Sequence, residues 1–114
     1  MPEQPVILVK AYDLTLWMAR KAERFRRPHR SVGDRIVNES FNLLEDLVSA
    51  SYGRNRVASL DRAQHRINLL RFQLRMAKDL GLLNADSYGF ASESLDEVGR
   101  MAGGWRKAAS TQPA

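Results

Sequence analysis

The chain has 114 residues, 44% of them apolar, with 18 Lys/Arg against 13 Asp/Glu and a net charge of +5; that is room for one domain with a modest core, not two. It has no cysteine, which excludes disulfides and cysteine-based metal or thiol chemistry and fits a reducing, cytoplasmic location. No signal peptide or membrane span is expected, because Lys10 and Asp13 interrupt the apolar run Val6 to Val9 far short of the roughly 20 residues a span needs.

The spacing predicts four helices. The first runs from about Pro5 to Phe25, with Ile7, Ala11, Leu14, Met18 and Phe25 on one face and Trp17 beside it. Pro5 suits a first helical turn, and Pro28 within RRPHR blocks continuation. The second runs from about Ser31 to Tyr52. Ser31 is the expected cap, with Asp34 near the positive end of the helix dipole. Ile36, Leu43, Leu44, Leu47 and Val48 form its apolar face, and Gly53 is a natural stop.

The third segment, Arg54 to Leu80, is the most informative. Leu60, Ala63, Ile67, Leu70, Leu74 and Ala77 are spaced 3-4-3-4-3, the mark of a buried helix seam. At about 100° per residue, Leu69, Phe72 and Met76 point the other way, flanked by His65 and Leu80. A helix apolar on two opposite faces must bury the second against something. Within one bundle a neighbouring helix or the tail could cover it; between chains Leu69, Phe72 and Met76 would form a homo-oligomer interface, the favoured expectation. Arg62 and Arg66 fall on one side of that stripe, and Arg71, Arg75 and Lys78 on the other. The fourth helix begins near Asn84, a good cap. It carries Tyr88, Ala91, Leu95, Val98 and Ala102 (or Met101) inward and is expected to dissolve at Gly103-Gly104. Trp105 would then be a hinge anchor or a core plug.

No strand-like alternation competes with these patterns. Short loops between long helices force antiparallel neighbours, so the expected fold is all-α, an antiparallel up-down-up-down four-helix bundle. One domain is expected over residues 1–107, with a disordered tail over 108–114.

The charge is clustered. Residues 20–35 carry seven positive side chains against two negative, and residues 54–78 carry seven against one. Residues 36–53 carry three negative and no positive, and residues 79–98 five negative and no positive. Clustered positive charge is the usual footprint of a polyanion partner. The acids Glu39, Glu45 and Asp46 can meet third-helix arginines, within the subunit or across a ring.

Catalysis is not expected. His29 and His65, the only histidines, lie on different elements. No zinc-protease motif, phosphate loop or nucleophile elbow is present, and Glu93, Asp96 and Glu97 read as a solvated acidic face. No metal or cofactor is expected. Trp17, Phe25, Phe41, Phe72 and Tyr88 read as core aromatics rather than base-stacking platforms. Nucleic-acid contacts should therefore go mainly to phosphates, with weak sequence preference.

The strings YDLTLWMARKAERFRRPHRSVGDRI, LLEDLVSASYGRNR, INLLRFQLRMAKDLGLL and LDEVGRMAGGWRK, in that order, resemble the Avd family. These are the accessory variability proteins of diversity-generating retroelements, within a wider group of four-helix bundles that includes proteins encoded in 23S ribosomal RNA intervening sequences. The resemblance covers about Ala11 to Lys107. Its most specific parts are Gly33-Asp34-Arg35-Ile36, the Leu-rich second helix, and Gly99-Arg100-Met101 leading to Gly103-Gly104-Trp105. It implies a basic homopentameric barrel with no catalytic residue of its own. It also implies a retroelement reverse transcriptase as partner, and association with template RNA and DNA. The basic residues carried over are Arg24, Arg26, Arg27, Arg30 and Arg35 around the first turn, and Arg62, Arg66, Arg71, Arg75 and Lys78 on the third helix. Two other functions fit the same residues. One is an intervening-sequence-type protein binding RNA without a polymerase. The other is a structural homo-oligomer whose arginines pair with acids of neighbouring subunits.

Overall fold

The computed structural model describes residues 5–111. The elements are α1 (Val6–Ala22), a 3-10 turn (Arg27–His29), α2 (Arg30–Tyr52), α3 (Arg56–Asp79) and α4 (Ala85–Ser110). Each helix packs against two others in the cyclic order α1–α2–α3–α4, and the backbones of the diagonal pairs stay apart. This is the expected all-α, antiparallel up-down-up-down bundle, 50 × 26 × 22 Å in extent. No described helix is long and apolar enough to cross a membrane.

The core follows the heptad-like spacing. Leu60, Ala63, Ile67, Leu70, Leu74 and Ala77 are all at most 1% exposed, so the α3 seam lies on the bundle axis. It shares one core with Ile7, Ala11, Leu14 and Met18 of α1, Ile36, Leu43 and Leu47 of α2, and Leu95, Val98 and Ala102 of α4. Ala102 is the buried residue of the Met101/Ala102 pair, and Met101 packs at the edge. Two buried hydroxyls line the α1–α2 interface, and that of Thr15 reaches across it. Thr15 Oγ1 donates to the Ala11 carbonyl at 2.8 Å and lies 3.2 Å from the Ser40 carbonyl, and Ser40 Oγ donates to the Ile36 carbonyl at 2.8 Å. Both are buried and satisfied, as interior hydroxyls must be.

Chain ends of the helices follow local chemistry, with three departures. Asn84 caps α4 as expected, its Oδ1 accepting from the Ser87 N–H at 2.8 Å. Gly81, at φ 76°, closes α3: the Leu82 N–H reaches the Ala77 carbonyl and the Gly81 N–H the Lys78 carbonyl, a Schellman end that only glycine adopts without strain.

The first departure is α1, which ends at Ala22 rather than Phe25. The chain tightens into i→i+3 bonds from Arg24 to Lys21 and from Phe25 to Ala22, although Phe25 still packs on the core. The second is Ser31, which is not the cap of α2. The 3-10 turn built on Pro28 runs directly into the helix, so α2 starts at Arg30 with His29 at its cap position and no side-chain cap bond. The third is α4, which does not dissolve at Gly103-Gly104 but continues to Ser110. Tertiary contacts override the local cost of two glycines. Trp105 and Ala109 pack on the core, Arg56 lies 5.5 Å over the Trp105 ring, and Arg106 pairs with Asp61 at 3.0 Å. Residues 108–110 of the expected tail are thus helical; residues 112–114 lie outside the described residues.

Candidate polyanion and subunit surfaces

The α1–α2 connection is shaped by Pro28, Phe25 and Gly33. Phe25 folds back over the start of α2, where a Cβ on Gly33 would stand 3.0 Å from Phe25 Cδ2 and 3.2 Å from Ala22 Cβ. A bare backbone at Gly33 lets the turn close against both. The closed turn directs Arg24, Arg26, Arg27 and Arg30 into solvent, with Arg20 before them and Arg35 one turn into α2; all six are exposed. None of the six makes an ion pair among the described residues.

The arginines of α3 are placed differently. Arg62 pairs with Asp46 at 3.2 Å and donates to Ser59 Oγ at 3.1 Å. Arg66 bridges Glu39 and Asp46, at 3.4 Å each. Arg71 pairs with Asp96, its guanidinium crossing α4 where a Cβ on Gly99 would be 3.3 Å away. Lys78 Nζ stands 5.0 Å over the Tyr88 ring. Arg75 is exposed and makes no ion pair among the described residues. Glu39 and Asp46 of α2 and Asp96 of α4 are therefore met from within the same chain, whereas Glu45 and Glu93 make no ion pair among the described residues. Asp96 and Glu97 are not a free acidic face, since Glu97 pairs with Lys10 at 2.8 Å. Exposed pairs of this kind contribute only about 0–1 kcal/mol each, but they cancel charge locally. The Arg106 guanidinium is pushed above its ordinary value by its hydrogen bond to Asp61 and the attraction of that carboxylate.

Two apolar surfaces face solvent. On α3, Phe72 is 72% and Met76 54% exposed, next to Leu80, with Leu69 half-buried beside them. The other surface is absent from the sequence expectations: a groove between α1 and α2 lined by Leu8, Val9, Tyr12, Leu44, Val48 and Tyr52. Phe41 extends it along α2. A signal for it exists in the chain. Val37, Phe41, Leu44, Val48 and Tyr52 repeat at 4-3-4-4, a second stripe beside the core face. Phe41 and Phe72 are thus surface residues, not core. Trp17, Phe25 and Tyr88 pack at the core edge, with Trp17 5.3 Å from the Phe90 ring.

His29 and His65 remain on separate elements, and no group of three or more His, Asp or Glu among the described residues is arranged to hold a metal. What the molecule offers is surface: one free basic turn, one basic helix compensated at Arg62, Arg66 and Arg71 but not at Arg75, and apolar strips on α3 and between α1 and α2. No curated protein matches the chain. A family match runs over residues 5–109, from the start of α1 to the last turn of α4, and takes in both Gly33 and Gly99, the two bare positions that shape the basic turn and the α3–α4 ion pair. The chain belongs to the bAvd-like family.

Proposed function

We propose that the protein is a non-enzymatic accessory factor of a diversity-generating retroelement. It acts as a basic homo-oligomeric scaffold, a homopentamer, that holds the reverse transcriptase and its template RNA and cDNA in the cytoplasm during mutagenic retrohoming. Membership of the bAvd-like family, whose members are non-catalytic accessory proteins, supports the retroelement role. The observation that carries the polyanion role is the α1–α2 turn, where six exposed arginines within residues 20–35 lack intramolecular partners among the described residues.

The turn is the principal phosphate surface. Free guanidinium groups release counterions from a phosphate backbone, whereas an arginine already held by a carboxylate must first give up that pair. Of Arg62, Arg66, Arg71, Arg75 and Lys78 on α3, the last two are without an ion pair among the described residues, with Lys78 an additional phosphate contact and Arg62, Arg66 and Arg71 serving the subunit's own register. The purely structural alternative has a narrower electrostatic basis, because Glu39, Asp46, Asp96 and Glu97 are paired within the chain. That leaves Glu45, Asp79, Asp86 and Glu93 as the acids of residues 36–53 and 79–98 without an ion pair among the described residues.

Replacing Arg24, Arg26, Arg27 and Arg30 together by Gln tests this. Removing one phosphate contact lowers the slope of log K against log salt by about 0.7 on single strands, so removing all four lowers it by about 3. Helicity should be unchanged, since all four side chains are exposed. Unaltered RNA affinity and salt slope in this variant would place the polyanion surface elsewhere. Co-expression with the reverse transcriptase and template RNA, followed by mass measurement of the complex, tests the scaffold role.

A further inference from the structure

We infer that copies of this chain join head to tail, with the α3 ridge of Leu69, Phe72, Met76 and Leu80 seated in the α1–α2 groove of the next copy. This rests on the homo-oligomer proposed above and adds which two surfaces meet, and that they differ.

Shape is the first argument. The ridge is a single convex row on the outer face of one helix, opposite its buried seam. The groove is concave, lying between two helices and lined by Leu8, Val9, Tyr12, Leu44, Val48 and Tyr52. Ridges pack into grooves, and like shapes leave voids. The two also match in length. Leu69 to Leu80 and Phe41 to Tyr52 each cover three helical turns, about 16 Å at 1.5 Å per residue. Both are too exposed to be left in water without a partner: Phe72 and Tyr52 are each 72% exposed.

Charge is the second argument. A second copy would be repelled if the arginines flanking the ridge were free. Arg62, Arg66 and Arg71 are instead neutralised by Asp46, Glu39 and Asp96 of their own chain. The cations beside the ridge without an ion pair among the described residues are Arg75 and Lys78, and Lys78 is turned over the Tyr88 ring of its own chain. The groove's α2 wall carries Glu45, exposed and without an ion pair among the described residues. Glu45 sits one turn from both Phe41 and Val48, and Arg75 one residue from Met76, so the pair sets register across the contact. The ridge lies in the half of the bundle nearer the α1–α2 turn and the groove toward the other end. Successive copies in a closed ring therefore tilt relative to one another, and their arginine turns do not face each other at the contact. Two unlike surfaces on one chain make a heterologous interface, which gives a closed ring where the rotation between copies closes, as the proposed pentamer requires, and an open filament where it does not.

The chain has no cysteine, so single cysteines report the contact without background. Val48→Cys and Met76→Cys should each fail to cross-link alone on oxidation and should give a covalent dimer when mixed. In parallel, Phe72→Glu/Met76→Glu and Tyr12→Glu/Val48→Glu should each be monomeric by light scattering, with helicity retained by circular dichroism. Mixed at high concentration, they should form a 1:1 dimer and nothing larger, because only one ridge and one groove survive. Efficient self-cross-linking of Met76→Cys, or a ridge variant that assembles like the native chain, overturns the inference while leaving a homo-oligomer intact. A native chain that stays monomeric at all concentrations overturns both.

Discussion

Gly33 and Gly99 both sit in ordinary helical backbone, yet each is closely approached: the Phe25 ring and Ala22 close over Gly33, leaving no room for a large side chain, and the mobile end of Arg71 lies over Gly99. The sequence marks both as members of distinctive motifs. It cannot say why, since the groups that approach them come from other helices or from a turn that folds back. Gly33→Val should destabilise the bundle by about 1–3 kcal/mol, the usual cost of overpacking. It should also weaken nucleic-acid binding by displacing the arginine turn; urea denaturation and RNA titration check the two effects. On α3 a sharper contrast is available between positions two residues apart. Leu70 is fully buried and Phe72 is 72% exposed. Under monomeric conditions Leu70→Ala should cost about 2–5 kcal/mol and Phe72→Ala about 0.5 kcal/mol or less. A large loss at Phe72 in the monomer would mean that the ridge already has a partner within the chain.

At the scale of the element, α3 is legible in the sequence and α4 only partly so. The α3 seam is readable because one unbroken period fixes all six positions, and every one is buried. The second stripe is readable for the same reason. The α1–α2 groove is only half visible in sequence, because the α2 stripe repeats regularly but the α1 wall of Leu8, Val9 and Tyr12 does not announce which helix it faces. The end of α4 departs from expectation because glycine propensity is local, whereas Trp105, Arg106 and Ala109 are held by α3 and the core. Cβ atoms at Gly103 and Gly104 would meet nothing within 4 Å. Replacing both by Ala should therefore raise monomer stability by about 1–2 kcal/mol, at roughly 0.5–1 kcal/mol per helical glycine. Thermal denaturation reads this directly, and a decrease would mean that the pair is needed for a bend or a close approach.

For the whole molecule, the charge tally locates the basic segments but not which of them are neutralised. The pairs that silence α3 join Asp46 to Arg62, Glu39 to Arg66 and Asp96 to Arg71, across helices whose rotation about their axes only packing fixes. The free turn needs no such knowledge, because its neighbours in sequence are themselves basic. Cyclic packing has one further consequence. The seam between α1 and α4 is the thinnest of the four and joins the first helix to the last, through Lys10 with Glu97 and Trp17 with Phe90. Those contacts enclose almost the entire chain, so their loop-closure entropy is the largest in the molecule and the reward for closing them among the smallest. The α2–α3 hairpin should form the folding nucleus, and the α1–α4 seam should zip after the rate-limiting barrier. Phe90→Ala should accordingly speed unfolding and leave the refolding rate nearly unchanged, whereas Leu47→Ala should slow refolding; the two arms of a denaturant chevron separate these effects.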